Sequence, residues 1–141
     1  MSKYLIPHIS IGYNFIPFNA KIRDDFLYAN LRSYSAGEYL KRNPEWSVVQ
    51  IGFESEIYYL PDSVIGDIMG FSRYRDFYGL DARQLANKMK LMGRNAILLS
   101  PIDAGVAALR KSDDFAYCFR VLVESKSSVL YGLNSRCDRV P

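Results

Sequence analysis

The chain has 141 residues and a formal net charge of +3, with 49% hydrophobic and 23% charged residues. These proportions are usual for a soluble globular domain, and a chain of this length can bury roughly 70% of the surface that its unfolded form exposes. No apolar run approaches the roughly 18 residues of a membrane-spanning helix, so the sequence argues against a membrane-embedded protein and predicts no membrane partner.

The N-terminal part of the chain predicts one strand followed by two helices. Residues 4–18 place apolar side chains at alternate positions, which is typical of a half-buried strand. Asn19 is a suitable N-cap for a helix that begins at Ala20. The tetrapeptide SAGE at 35–38 has the pattern of a capping box and predicts a second short helix, which must end before Pro44.

The central part predicts a hairpin and another helix. Two apolar runs, at 46–53 and 55–60, are typical of strands, and we expect the chain to turn between them near residues 52–55. Asp62 can cap a following helix of about eight residues, in which Val64, Ile65, Ile68 and Met69 face inward.

Asp81 begins the most clearly signalled helix of the chain. Its apolar residues recur at helical spacing, and Gly93 lies where a C′ glycine ends a helix. The residues that we expect to face inward are Ala82, Leu85, Ala86, Met89 and Met92. A further helix start is predicted at 100–103, where the sequence SPID supplies N-cap, N1 and N3 residues.

The C-terminal part predicts a second hairpin. Residues 115–123 alternate between apolar and polar side chains, SKSS turns the chain, and VLYGL at 129–133 returns it. Residues 134–141 are interpreted as a frayed polar tail.

Together these elements predict one α+β domain over residues 1–133. Its antiparallel sheet is built from the N-terminal strand, the central hairpin and the C-terminal hairpin, with four to five short helices packed on a face.

The two cysteines, Cys118 and Cys137, predict the cellular compartment. Their spacing suggests neither a disulfide framework nor a metal site, so we interpret them as free thiols in a reducing compartment. The first ten residues lack the apolar core of a signal peptide. We therefore expect a cytoplasmic protein.

Few residues offer catalytic chemistry. His8 is the single histidine, so a Ser-His or Cys-His arrangement has little support, and Cys118 is interpreted as a half-buried thiol. Glu54 and Glu56 share one side of their predicted strand, where paired carboxylates could perform acid–base chemistry. No phosphate-binding glycine motif occurs. We assign no catalytic residue, no metal site and no cofactor.

The basic residues are concentrated in the second half of the chain. Residues 1–70 contain 6 Lys and Arg against 8 Asp and Glu, whereas residues 71–141 contain 12 against 7. The segment 72–95 combines cations with aromatic and amide side chains, which suit phosphate contacts, base stacking and base-edge contacts. The candidate binding residues are Arg73, Tyr74, Arg75, Arg83, Asn87, Lys88, Lys90 and Arg94.

Three functions are compatible with these features. The first is a non-enzymatic binding or regulatory protein whose segment 73–94 contacts nucleic acid or a nucleoprotein complex, although an acidic protein surface would be attracted equally. The second is a protein–protein inhibitor or adaptor, of the kind that viruses and mobile elements encode to block a host complex; abundant tyrosine fits this class. The third is a small metal-independent enzyme.

Overall fold

The computed structural model describes residues 19–66, 77, 79–102 and 104–139. The chain divides into two compact units, Met1–Asn30 and Leu31–Pro141. The first unit contains helix α1, Ala20–Asn30. Asn19 Oδ1 accepts a hydrogen bond from Lys21 N at 2.9 Å, so the predicted helix start is confirmed. The predicted strand at 4–18 lies outside the described residues, and the single domain over 1–133 stays a prediction.

The second unit is organised around one sheet. Its five described strands have the order β2-β1-β3-β5-β4. Their bounds are β1 Val48–Ile51, β2 Val64–Ile65, β3 Ala96–Leu99, β4 Phe119–Glu124 and β5 Val129–Leu133. β1 runs parallel to β2 and β3, while β5 runs antiparallel to β3 and β4. The α+β class is confirmed, but the sheet is mixed and not purely antiparallel.

Helices cover both faces of this sheet. The α-helices of the second unit are α2 Tyr34–Arg42, α3 Ala82–Leu91, α4 Ala104–Arg110 and α5 Asp113–Cys118, and two 3₁₀ helices span Glu54–Tyr59 and Ser135–Arg139. One core packs α3 and α5 against one face, and a second core packs α2 and the first 3₁₀ helix against the other. The expectation of helices on a single face was wrong.

Coverage on both faces explains the sequences of the two inner parallel strands. Every residue of β1 (VVQI) and β3 (AILL) is buried. Strands buried on both sides read as continuous apolar runs, because neither face meets water. The single polar residue, Gln50, is satisfied by accepting a hydrogen bond from Phe53 N at 2.8 Å.

The predicted central hairpin was wrong. Gly52 has a φ of +88°, which turns the chain out of β1, and Glu54–Tyr59 then forms a 3₁₀ helix. Ile57 and Leu60 are three residues apart, so they lie on one side of this helix and both pack into the second core. β1 pairs instead with β2 and β3.

Two further elements were assigned wrongly. Val64 and Ile65, expected in a helix, form β2, because both pair with valines of β1. The strand expected from residue 115 begins only at Phe119, since Asp113–Cys118 is helix α5. Asp113 and Asp114 lie in its first turn, where the helix dipole favours negative charge.

Helix starts predicted by capping patterns were only partly correct. α2 begins at Tyr34, one residue before the SAGE sequence, and ends at Arg42 ahead of Pro44 as expected. α4 begins at Ala104, after the SPID sequence that was expected to open it. The C-terminal hairpin of β4 and β5 is confirmed.

The two cysteines form a disulfide, so their interpretation as free thiols was wrong. Cys118 and Cys137 are joined with their Cα atoms 4.5 Å apart. The bond attaches the 3₁₀ helix Ser135–Arg139, part of the predicted polar tail, to the end of α5. None of the described helices has the length and apolar character needed to cross a membrane.

Candidate functional site

Helix α3 is fixed at both ends by local interactions. Gln84 N donates to Asp81 Oδ1 at 2.8 Å, and Asp81 N donates to Gln84 Oε1 at 3.0 Å, which makes a complete capping box. At the other end Gly93 has a φ of +66°, which suits a residue that ends a helix. The predicted start and end are therefore confirmed.

One side of α3 is buried in the core. Ala82, Leu85, Ala86 and Met89 are buried against the sheet, as the spacing predicted. Met92, which was also expected to face inward, is 39% exposed, because it follows the last helical residue. This packing leaves the opposite side of α3 facing outward.

The outer face of α3 carries cationic and amide side chains. We define it by Arg83, Gln84, Asn87, Lys88 and Lys90, of which Gln84, Asn87 and Lys90 are exposed and the other two half-buried. The helix has the sequence ARQLANKMKL and contains no acidic residue. Its surface therefore presents positive charge with hydrogen-bonding amides between the cations.

The Arg83 guanidinium has an acidic neighbour on α5. Its Nε lies 3.4 Å from Asp114 Oδ2, and the two side chains are 38% and 55% exposed. Exposed ion pairs of this kind contribute only about 0–1 kcal/mol, because water screens both charges. A stronger anionic partner could therefore displace Asp114 at small cost.

The Lys88 ammonium is positioned by an aromatic ring. Its Nζ lies 4.5 Å from the centre of the Phe77 ring, a cation–π contact. Phe77 itself packs against the first core. Such a contact orients the Lys88 side chain on this surface.

Arg94 lies at the start of the sheet and is not part of the outer face. Its Nη1 donates to Ser47 Oγ at 2.7 Å and to the Ser63 carbonyl at 3.3 Å. These contacts join the segments that lead into β1 and β2. Its Nε is buried without a hydrogen-bond partner among the described residues. The geometry thus gives Arg94 a structural role, whereas Arg73, Tyr74 and Arg75 lie outside the described residues.

Glu56 belongs to a hydrogen-bonded cluster that the sequence did not reveal. Its Oε2 accepts hydrogen bonds from Ser33 N at 2.8 Å and Ser33 Oγ at 2.6 Å, and its Oε1 accepts one from Arg32 Nε at 3.1 Å. The carboxylate therefore caps the N-terminus of α2 from a distant part of the chain. Both oxygens are engaged, so the arrangement is that of a structural carboxylate.

Hydrogen bonding controls the ionisation of this carboxyl group. Burial by itself would raise the pKa of Glu56, but the hydrogen bonds from Ser33 and Arg32 and the Arg32 charge hold that pKa below its ordinary value of 4.5. Glu56 is thus ionised at neutral pH. Elsewhere, burial raises the pKa of the Tyr131 hydroxyl above 10.0.

The described residues contain no group of three or more histidine, cysteine, aspartate or glutamate side chains able to hold a metal ion. His8 lies outside them, and Cys118 is bonded to Cys137. The most distinctive polar surface that can be built from the candidate residues is therefore the outer face of α3.

The fold and this surface define a small α+β protein with a basic helix on one face of its sheet. The family model described as SF2091/S2213 matches residues 22–132, and the chain belongs to that family. The match extends from α1 to β5 and includes all of α3. No curated protein and no solved structure matches the chain.

Proposed function

We propose that the protein is a non-enzymatic binding module that docks onto an anionic macromolecule through the outer face of α3, with nucleic acid as the first partner to test. The observation that carries this proposal is the helix itself. It is capped at its N-terminus, contains no acidic residue and presents cations interleaved with amides. Lysine and arginine supply the phosphate contacts that dominate nucleic-acid affinity, and asparagine and glutamine can contact base edges.

The contacts that Arg83 and Lys88 make within the protein could be exchanged for contacts with an anionic partner. The Arg83–Asp114 pair is exposed and therefore weak, and the Lys88 ammonium lies over the Phe77 ring. A phosphate group approaching α3 could contact both cations and would displace the weak Arg83–Asp114 pair.

The test is a salt titration of binding to labelled single- and double-stranded DNA and RNA, with Arg83→Glu and Lys90→Glu as variants. We expect each variant to weaken binding for every sequence. Each lost phosphate contact should also reduce the slope of log affinity against log salt by about one. Lys126→Glu is the matched control, because it makes the same charge change at an exposed residue of the β4–β5 turn.

Two results would contradict this proposal. One is an absence of binding to any of the four probes at low salt. The other is an equal loss of affinity in the Lys126→Glu control, since the attraction would then follow net charge and not the outer face of α3.

A separate observation supports a second candidate, a protein–protein inhibitor or adaptor. Tyr58 and Tyr59 are 86% and 54% exposed on the 3₁₀ helix that packs on the opposite sheet face from α3. Tyrosine is enriched at the energetic centres of protein interfaces. A stoichiometric complex that survives nuclease and high salt, and that is lost in Tyr58→Ala but kept in Lys90→Glu, would favour this function.

A further inference from the structure

We infer that the Cys118–Cys137 disulfide is a permanent cross-link of the working protein, so the chain matures where thiols are oxidised and not in a reducing cytosol. The cytoplasmic location expected from the sequence depended in part on two free thiols. Both cysteines are instead consumed by one bond, which removes that support.

The fold brings the two cysteines together independently of the bond. Phe119 and Leu133 are paired in the β4–β5 ladder, and Asn134 N donates to the Cys118 carbonyl at 2.7 Å. Cys137 N in turn donates to the Asn134 carbonyl at 3.1 Å. A reduced chain that keeps its hairpin therefore holds the two thiols side by side, and the high effective concentration favours closure.

Burial protects the bond once it has formed. Cys118 is fully buried in the first core, whereas Cys137 is partly buried at its margin, so an attacking thiolate reaches the Cys137 sulfur first. Attack there would release Cys118 as a thiolate inside an apolar core. A buried thiolate is unfavourable and a poor leaving group, so reduction is slow.

Bond formation requires an oxidant, and a small-molecule or protein disulfide supplies it by exchange. The Cys137 thiolate attacks one sulfur of that disulfide and expels the other as a thiolate. The Cys118 thiol then loses its proton and displaces the carrier from Cys137. The protein gives up two electrons and two protons, and the oxidant leaves as two thiols.

The first test traps the cysteines as they are in the native source. Cells are quenched in acid, free thiols are alkylated, and the protein is digested without reductant for mass spectrometry. We expect no alkylation and a peptide pair joined through Cys118 and Cys137. Alkylation of both residues without prior reduction would overturn the inference.

The second test measures how much the bond contributes to the stability of the fold. The double variant Cys118→Ala/Cys137→Ala and the reduced wild type should both show an unfolding equilibrium constant raised on the order of a hundredfold, as expected for a loop of this length. The stability of the double variant must not respond to reductant. If wild-type protein whose bond has been fully reduced shows the same unfolding equilibrium as the oxidised protein, the bond is not a structural cross-link and the inference fails.

Discussion

Gly132 lies in β5 directly beneath the indole of Trp46. A Cβ atom at this position would lie 2.9 Å from Trp46 Cη2 and 3.1 Å from Leu122 Cδ1, closer than packed carbon atoms approach. We expect Gly132→Ala to lower the free energy of unfolding by about 1–3 kcal/mol, because the Trp46 indole, the Leu122 side chain or the backbone must shift. Trp46 is the single tryptophan, so its fluorescence can follow urea unfolding.

Gly37 provides the matched control for this substitution. It lies inside helix α2, where a Cβ would meet Leu60 Cδ2 at 3.5 Å and the Tyr59 carbonyl oxygen at 3.6 Å, ordinary packing distances. Gly37→Ala should therefore stabilise the protein by up to about 1 kcal/mol, because alanine favours helix. Equal destabilisation by both substitutions would contradict the steric explanation.

The Glu56 carboxylate makes stability depend on pH in a defined direction. Its pKa in the folded protein lies below the ordinary value of 4.5, so the ionised group stabilises the fold fully above that pH. The contribution is lost as the pH falls from 4.5 through the folded-state pKa. We expect Glu56→Gln to cost about 1–3 kcal/mol at neutral pH and progressively less in acid, as measured by urea unfolding at several pH values.

Glu38→Gln is the control for the Glu56 prediction. Glu38 Oε1 lies 2.7 Å from Lys41 Nζ on the surface of α2, and such an exposed pair contributes less than about 1 kcal/mol. A gap between wild type and Glu56→Gln that stays constant or widens in acid would show that the Ser33 and Arg32 hydrogen bonds do not set this pKa.

A comparison of Arg94 with Lys90 tests which cations of segment 73–94 support the fold. Because its guanidinium joins Ser47 to the Ser63 carbonyl, Arg94→Ala should lower the free energy of unfolding by about 2 kcal/mol. Lys90 is exposed on α3, so Lys90→Ala should change stability by no more than about 0.5 kcal/mol. Thermal unfolding of the two variants measures the difference, and equal midpoints would refute the assignment.

At the scale of elements, the capping box controls where α3 begins. Asp81→Ala removes the acceptor for Gln84 N. We expect this change to lower the free energy of unfolding by about 1 kcal/mol. Gln84→Glu retains a side chain able to accept from Asp81 N, so it should leave stability nearly unchanged. Chemical denaturation followed by circular dichroism distinguishes the two variants; an equal loss in both would argue against the cap.

The elements that could be predicted from sequence are those that local interactions determine. α3 has its cap, its apolar stripe and its final glycine within thirteen consecutive residues, 81–93, and the β4–β5 hairpin joins neighbouring segments. Val64 and Ile65 show the opposite case. Their strand depends on pairing with β1, while the local sequence offered only a plausible cap at Asp62.

Among the candidate residues, too, those placed by local spacing could be predicted, whereas those with partners in distant segments could not. Asn87, Lys88 and Lys90 could be predicted as an outer face because the buried stripe of α3 fixes what lies opposite. The inward role of Arg94 could not, since its partners Ser47 and Ser63 come from distant segments. The cluster around Glu56 was missed for the same reason, because Ser33 and Arg32 lie on another element.

At the scale of the whole second unit, β3 joins the parallel half of the sheet to the antiparallel half. It has neighbours on both sides, and all its residues are buried. We expect the amide protons of Ile97, Leu98 and Leu99 to be among the slowest to exchange with deuterium, because their release requires the sheet to open. Amides in the β4–β5 turn around Lys126 should exchange much faster, and slower exchange there than in β3 would contradict the assigned topology.

The bond between Cys118 and Cys137 also changes the connectivity of the chain. It closes a covalent ring that contains β4 and β5, and the turn at Lys126 lies in that ring opposite the bond. A protease that cuts this turn opens the ring but does not divide the molecule, since the two pieces stay joined through sulfur. The nicked protein would run as one species on a gel without reductant and as two fragments once the bond is reduced.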